Sequence, residues 1–164
     1  QDGETLMIES GSTCALFAEE LAKTKQNITI ITNSMYLAGY ISSYTNIQLI
    51  LLGGTLQPHG QSLVGPLTKS AAASFHVDKI FTGTDGYSRT YGFTGEDLIR
   101  SDTLSALIAS ADHTYVLAGS EKFTQPGSVY FLKLEDVYQI ITDDKIAPSE
   151  KDFLEKQGIT VTIA

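Results

Sequence analysis

Apolar residues along this chain follow two alternating periodicities. Short runs of aliphatic and β-branched residues, typical of strands, are separated by stretches in which apolar residues recur every three or four positions, as on one face of a helix. The clearest helical face consists of Cys14, Phe17, Ala18, Leu21 and Ala22. Strand-like and helix-like segments that alternate in this way predict a single α/β domain over residues 1–164 with a mostly parallel sheet.

The predicted elements cover most of the chain. Strands are expected at residues 5–8, 28–31, 47–52, 79–82, 114–118, 138–142 and 159–163. Helices are expected after residue 12, at 35–44, at 63–75, around 104–111 and at 149–156, and a loop rich in glycine and tyrosine at 85–95. The run 47–52 is almost entirely apolar, which indicates that helices cover both faces of the sheet. Gly158 is expected to end the last helix, because glycine readily adopts a positive φ there.

Small and polar residues follow five consecutive predicted strands. These exits carry, in order, Ser10, Gly11, Ser12 and Thr13; Thr32, Asn33 and Ser34; Gly53 and Gly54; Gly83, Thr84, Asp85 and Gly86; and Gly119, Ser120, Glu121 and Lys122. Open parallel sheets bind ligands beyond the carboxyl ends of their strands. We therefore expect the five exits to meet along one edge of the sheet and to form a ligand site.

The first exit has the features of a phosphate-binding turn. Gly11 allows a tight turn, Ser12 can cap the helix that follows, and the free N–H groups at a helix start bind anions. The hydroxyls of Ser10, Ser12 and Thr13 are suited to phosphate oxygens. The alternative is an ordinary helix cap, because the segment has neither the Gly-Lys-Ser/Thr end of a P-loop nor the G-x-G-x-x-G pattern of dinucleotide sites.

The second and third exits are open to the same two interpretations. Thr32, Asn33 and Ser34 either bind ligand or only cap the next helix. Gly53 and Gly54 either form a plain turn or let a sugar lie against the backbone. Both groups are predicted as ligand-binding residues because of the strand ends that they follow.

Three charged residues complete the predicted site. Asp85, followed by Gly86, either caps a turn or binds sugar hydroxyls. Lys122 closely follows a strand and is expected to neutralise the charge of the ligand, unless it is an idle surface lysine. Arg100 is a second candidate cation.

Composition excludes several functions. Acidic residues outnumber basic ones by 19 to 11, which gives a net charge of -8; nucleic-acid binding needs clustered Lys and Arg, so these residues are not expected to hold DNA. The single cysteine, Cys14, cannot form an internal disulfide and is expected to be buried, although a catalytic thiol is the alternative. The three histidines lack the spacing of a metal site. No metal and no cofactor are predicted.

The apolar runs and the start of the chain indicate the cellular compartment of the protein. The longest apolar run, 47–52, is far too short to span a membrane, and no secretory leader precedes the first strand. A cytoplasmic protein is therefore expected. Because the chain starts abruptly at Gln1, we also expect further sequence upstream.

The strand-exit segments, in this order, resemble the C-terminal effector-binding domain of the DeoR family of bacterial transcription regulators. Residues 9–13 resemble the family's D-S-G-[ST]-T turn, 32–34 its T-N-S, 53–54 its G-G and 65–66 its G-P. Further along, 78–83 resembles D-K-x-F-x-G, 92–94 G-[LI]-T, 120–123 the end of D-x-[ST]-K-[FI], and 141–143 I-T-D. Each motif is weak alone, but their number and order cover nearly the whole chain.

The resemblance implies a Rossmann-like fold similar to ribose-5-phosphate isomerase and glucosamine-6-phosphate deaminase. It also implies a repressor of sugar metabolism, in which a phosphorylated sugar acts on this domain as inducer. Operator DNA would be bound by an N-terminal helix-turn-helix upstream of this chain. Paired operator half-sites imply a homo-oligomer.

Three positions depart from the family pattern. Gly119 stands where the family usually has Asp, Arg100 and Ser101 replace a Glu-Ala pair, and Leu104 replaces a frequent Lys. Arg100 is expected to supply part of the charge of that lysine. The rearranged charges leave the identity of the sugar open.

Two other functions fit the sequence. One is a sugar-phosphate isomerase or deaminase on the same fold, with Asp85, Glu96 or Asp97 as the group that moves a proton. The other is an oligomerisation module with a vestigial pocket. The regulator is preferred to both, and no enzymatic activity is expected, because the specific motifs follow the regulator pattern.

Overall fold

The computed structural model describes residues 1–164, which form twelve strands and five α-helices. The strands are β1 (Thr5–Ile8), β2 (Ile28–Thr32), β3 (Ile47–Leu51), β4 (Thr55–Gln57), β5 (Ser62–Val64), β6 (Val77–Thr82), β7 (Gly86–Ser88), β8 (Gly92–Gly95), β9 (Ala111–Leu117), β10 (Val129–Leu132), β11 (Val137–Thr142) and β12 (Thr160–Ile163). The helices are α1 (Ser12–Thr24), α2 (Met35–Ile41), α3 (Pro66–Ala72), α4 (Leu98–Ile108) and α5 (Pro148–Lys156). None of these helices combines the length and the apolar character that crossing a membrane requires.

Seven strands form a parallel central sheet in the order β12-β11-β9-β6-β1-β2-β3. From β1 the chain first adds β2 and β3 on one side, and then β6, β9, β11 and β12 on the other. The strand order therefore reverses between β1 and β6, and loops that leave the sheet there diverge and open a crevice. This arrangement confirms the predicted α/β fold and its mostly parallel sheet.

Side chains of the central strands alternate between two apolar layers. Leu6 and Ile8 of β1 pack in one cluster with buried residues of α1 and α2. Met7, which lies between them, packs in another cluster with residues of α3 and with Leu107 of α4. Because successive strand residues point to opposite faces, this alternation places helices on both faces of the sheet, as the sequence predicts.

The prediction of one helix over residues 63–75 is wrong at its start. Ser62–Val64 form β5, which pairs antiparallel with β4, and α3 begins only at Pro66. Gly65 has a φ of 91°, so the helix cannot extend backwards through it. The N–H of Leu63 donates to the carbonyl of Asn33 at 2.7 Å, which ties the β4–β5 hairpin to the end of β2. A hydrogen bond to a residue 30 positions away in the sequence thus favours a strand over the predicted helix at Leu63.

Residues 85–95 form a hairpin and not the predicted loop. Strands β7 and β8 pair antiparallel, and β10 joins them as a third strand that the sequence did not predict. Gly86 allows the backbone of β7 to lie close to the backbone of residues 125–127. A Cβ at Gly86 would lie 2.4 Å from the carbonyl oxygen of Gln125.

The remaining differences lie at the ends of elements. The helix predicted at 35–44 ends at Ile41, and Ala111 begins β9 instead of ending α4. Gly158 follows the last helix with a φ of 86°, which confirms its predicted role.

Candidate functional site

A cleft of about 330 Å³ lies at the carboxyl ends of β1, β6 and β9, beside the point where the strand order reverses. It is lined by Ser10, Gly11, Ser12, Thr13, Gly60, Gly83, Thr84, Asp85, Arg100, Leu117, Ala118, Gly119, Glu121 and Lys122. Three of the five predicted strand exits therefore come together here. The exits of β2 and β3 do not line this cleft.

The start of α1 faces this cleft with its backbone N–H groups unpaired. Gly11, not Ser12 as expected, is the N-cap residue, and no side chain caps the helix. The N–H groups of Ser12, Thr13 and Cys14 therefore have no partner within the helix. The first turn also contains no acidic residue, so the positive end of the helix dipole is not neutralised by its own side chains. This geometry suits an anion.

Only two of the three predicted hydroxyl donors are free. Ser10 donates its hydroxyl proton to Glu9 at 2.8 Å and is committed to that carboxylate. Ser12 and Thr13 are exposed at the start of α1. These two hydroxyls can turn toward a bound phosphate.

An ion pair between the buried Glu9 and the half-buried Arg100 forms the floor of the cleft. Glu9 is 1% exposed, and its carboxylate accepts hydrogen bonds from Arg100 at 2.9 Å and from the N–H of Gly83 at 3.3 Å. Burial opposes the charge of Arg100, but the neighbouring Glu9 carboxylate outweighs it and raises the pKa of the guanidinium. The pair links the end of β1 to α4. Its charges cancel, so Arg100 is not the free cation that the sequence suggested.

Lys122 supplies an unpaired cation to the cleft. It lies in a short 3-10 turn after β9, and it takes part in none of the ion pairs of the structure. Glu121 lies beside it, with its carboxylate over Gly119: a Cβ at position 119 would lie 2.2 Å from Oε2 of Glu121. The Glu121 carboxylate therefore occupies the space into which a side chain at position 119 would extend.

A second cleft of about 370 Å³ adjoins the first and shares Gly60, Asp85 and Arg100 with it. Its other lining residues are Gln57, Pro58, His59, Glu96 and Asp97. Asp97 caps α4: the backbone N–H of Arg100 and the amide of Gln57 donate to it and hold its pKa below the ordinary value. Asp85 accepts only the N–H of Glu96, at 3.2 Å. The two clefts together form one elongated groove.

Thr32, Asn33 and Ser34 lie buried at the base of the β4–β5 hairpin. The Ser34 hydroxyl caps α2 by accepting the N–H of Leu37 at 3.0 Å, and Thr32 accepts the N–H of Ser34. The Asn33 amide donates to the carbonyl of Leu63 at 3.0 Å. These contacts hold the hairpin, and their role in ligand binding stays a prediction.

Gly53 and Gly54 also lie outside the cleft. The carbonyl of Gly53 accepts the hydroxyl of Thr68 at 2.7 Å. Gly54 has a φ of 148°, and a Cβ there would lie 1.9 Å from Oγ1 of Thr68 and 2.9 Å from the carbonyl oxygen of Val64. The close approach of α3 explains the second glycine without a ligand.

We expect Gly54→Ala to lower the free energy of unfolding by at least about 2 kcal/mol, because the new methyl group meets a backbone carbonyl at a positive φ. Gly53→Ala is the matched control, since nothing lies within 4 Å of its Cβ position. Urea unfolding of both variants tests this expectation. Equal stabilities of the two variants would contradict the packing role of Gly54.

Two further features fall outside the site. Cys14 is fully buried, as expected, and burial raises the pKa of its thiol, so it is not a reactive nucleophile. A separate cavity of about 580 Å³ lies at the opposite end of the sheet, where β9 and β11 begin, and no lysine or arginine lines it. No group of three or more His, Cys, Asp or Glu side chains is placed to hold a metal ion.

Sequence reasoning gave no binding role to Glu9, Thr84 or Glu121, although Thr84 and Glu121 lie at predicted strand exits and Glu9 begins the predicted phosphate-binding motif. Glu9 carried a usable signal, because it is an acidic residue that directly continues an apolar strand, and such a residue needs a buried cation. Gly60 and His59 reach the groove from a turn after β4, a strand that was not predicted.

The fold and the groove define a class: an α/β domain with a cleft at the switch point of a parallel sheet. Among solved structures, it is similar to a ribose-5-phosphate isomerase in complex with phospho-erythronic acid (TM-score 0.54, 14% identity, 76% of this chain and 48% of that chain). It is also similar to eIF2B beta from Chaetomium thermophilum (TM-score 0.52, 13% identity, 85% and 43%). At these identities the likeness concerns the fold alone.

Sequence comparison gives the family. Residues 1–144 match the DeoR C-terminal sensor domain. Similar proteins include the HTH-type transcriptional regulators YulB (28% identity over 162 residues, 99% of this chain and 62% of the relative) and IolR (24% over 164 residues, 100% and 65%) of Bacillus subtilis. Another is the L-fucose operon activator of Escherichia coli (27% over 145 residues, 88% and 59%).

This chain belongs to the family of DeoR C-terminal sensor domains. It spans between 59% and 65% of the length of these three relatives. The match confirms the family suggested by the strand-exit motifs.

Proposed function

We propose that this domain binds a phosphorylated sugar as the effector of a transcription regulator. The observation that carries the proposal is the uncapped start of α1, which lines a cleft that also contains the unpaired Lys122. A phosphate seated there is bound by backbone N–H groups, by the Ser12 and Thr13 hydroxyls and by the Lys122 ammonium group. The sugar extends past Asp85 into the adjoining cleft.

The same site can couple binding to a change of conformation. Its walls come from the exits of β1, β6 and β9, and its floor is the Glu9–Arg100 pair that reaches α4. A ligand that touches all of these parts binds best to the arrangement in which they are closest. Such differential affinity shifts the population of that arrangement, which is the requirement for allosteric control.

We propose a sensor and not an enzyme. Proton transfer at a sugar carbon needs a carboxylate or histidine free to exchange a proton. Asp97 caps α4, whereas Asp85 and Glu96 form no ion pair but are exposed, so that a reaction intermediate beside them would be open to water. The relatives are named as regulators, which supports the same conclusion.

Our proposal for the whole protein also names its partners. We propose that operator DNA is bound by a helix-turn-helix segment outside this chain, that the protein is a cytoplasmic homo-oligomer, and that the effector releases it from DNA as from a repressor. The excess of acidic residues supports a DNA-binding segment elsewhere, because this domain repels phosphate backbones.

A thermal-shift screen against sugar monophosphates and the corresponding free sugars tests the proposed ligand class. A sugar phosphate at 100 times its dissociation constant is expected to raise the melting temperature by about 5–10 °C, and the free sugar to raise it by less than about 1 °C. Equal shifts with the free sugars would contradict the phosphate site. Turnover of the sugar phosphate would show an enzyme instead.

A further inference from the structure

The groove has an uneven distribution of unpaired charge. At the end near α1 lie the helix N-terminus, Lys122 and the carboxylate of Glu121, and neither of these two side chains forms an ion pair. Arg100 lies midway along the groove, but the buried Glu9 carboxylate at 2.9 Å neutralises it. The unpaired positive groups of the groove therefore all lie at its α1 end, and no second unpaired lysine or arginine lines the groove.

Two carboxylates that form no ion pair lie from the middle of the groove to its far end, because Asp85 lines both clefts and Glu96 lines only the adjoining one. Asp85 and Glu96 line the adjoining cleft and form no ion pair. Asp85 accepts only a backbone N–H, and the side chain of Glu96 accepts no hydrogen bond from the protein. Each carboxylate retains most of its capacity to accept hydrogen bonds. These acceptors suit a ligand end made of donors.

We infer that the site selects a sugar monophosphate whose opposite end donates hydrogen bonds, through hydroxyls or an ammonium group, and rejects a ligand with a second anionic group. The inference rests on the proposed function and specifies the ligand of that site. Asp85 and Glu96 are the specificity-determining residues. They accept hydrogen bonds from the donor end and repel a second phosphate or a carboxylate.

The repulsion has a measurable size. A second anion within about 6 Å of two unpaired carboxylates at a partly exposed site weakens binding by at least about tenfold. No unpaired lysine or arginine at that end offsets this repulsion. A ligand with an ammonium group at the same place binds more tightly by a comparable factor.

Calorimetric titration of this chain with four probes tests the inference. Glucose 6-phosphate and glucosamine 6-phosphate are expected to bind at least about tenfold more tightly than 6-phosphogluconate and fructose 1,6-bisphosphate. The first two probes also distinguish the donors, because an ammonium group binds more tightly than a hydroxyl only if the carboxylates contact it directly.

The double variant Asp85→Asn/Glu96→Gln supplies the decisive comparison. It is expected to bind 6-phosphogluconate at least about tenfold more tightly than the unaltered chain does, since both repelling charges are gone. The control is Glu135→Gln/Asp136→Asn, which removes two exposed charges outside the groove and is expected to leave the preference unchanged. A preference that persists in the first variant overturns the inference.

The possible failures are distinguishable. Tight binding of the bisphosphate or of the sugar acid by the unaltered chain overturns the selectivity alone and leaves the phosphate site standing. Absence of binding by all four probes overturns both the proposed function and the inference.

Discussion

Replacing Ser12 by aspartate is expected to weaken binding of a sugar phosphate by at least about 100-fold while making the domain slightly more stable. Ser12 is the first residue of α1, exposed, at the mouth of the cleft. Two anionic groups about 4 Å apart near a protein surface repel each other by about 4 kcal/mol, so the aspartate displaces the phosphate. The same charge interacts favourably with the helix dipole, so stability is expected to rise by about 0.3–1 kcal/mol.

The opposite signs of these two effects make the experiment specific. Most substitutions that abolish binding by damaging the fold also lower stability, whereas this one does not. Ser12→Asn, which has the shape of the aspartate without its charge, is the matched control and is expected to weaken binding by less than about tenfold. Calorimetry gives the affinities and urea unfolding the stabilities. Full affinity of the aspartate variant would place the phosphate elsewhere.

The sequence predicts the layers of the fold well, because burial imposes the periodicity that reveals them. Met7 and Ile8 face opposite layers, and the uninterrupted apolar run from Leu6 to Ile8 indicates without a structure that both faces of the strand are covered. The two hairpins are not visible in this way. The local pattern predicts a helix at Leu63. In the structure Leu63 lies in a strand, where its N–H donates to the carbonyl of Asn33. Such contacts between distant parts of the chain leave no local pattern.

The site is only partly predictable for a related reason. Strand exits can be found from the sequence, but the order of strands in the sheet cannot. The exits holding Gly11 and Asp85 meet because β1 and β6 are neighbours at the switch point. The exit holding Asn33 lies on the far side of β1 and is covered by the β4–β5 hairpin, so its polar groups hold structure.

The departures from the family pattern are linked in the structure. Gly119 lacks a carboxylate, and the carboxylate of Glu121 occupies its place. Arg100 stands where the family usually has an acid, and it pairs with Glu9. Leu104 is buried beneath the same region, where a lysine is frequent in the family. The Glu9–Arg100 pair leaves the floor of the cleft neutral, and Lys122 is the unpaired cation of the cleft.

The Glu9–Arg100 pair leads to the second large expected effect. Arg100→Met leaves the Glu9 carboxylate, which is 1% exposed, without its counter-ion. Breaking a buried pair from one side costs about 3 kcal/mol, because the remaining charge stays desolvated. For a domain of this size the melting temperature is expected to fall by about 6–12 °C. Differential scanning calorimetry measures the loss.

Neutralising the other partner is expected to recover most of that stability. In Glu9→Gln/Arg100→Met no charge remains buried, and the glutamine can still accept from the Gly83 N–H, so the double variant is expected to be at least about 1 kcal/mol more stable than Arg100→Met alone. Additive losses would show that the two side chains do not interact. The double variant also tests whether Arg100 binds ligand. If it retains full affinity for the sugar phosphate, then Arg100 serves the floor of the cleft, and Lys122 with the start of α1 holds the phosphate.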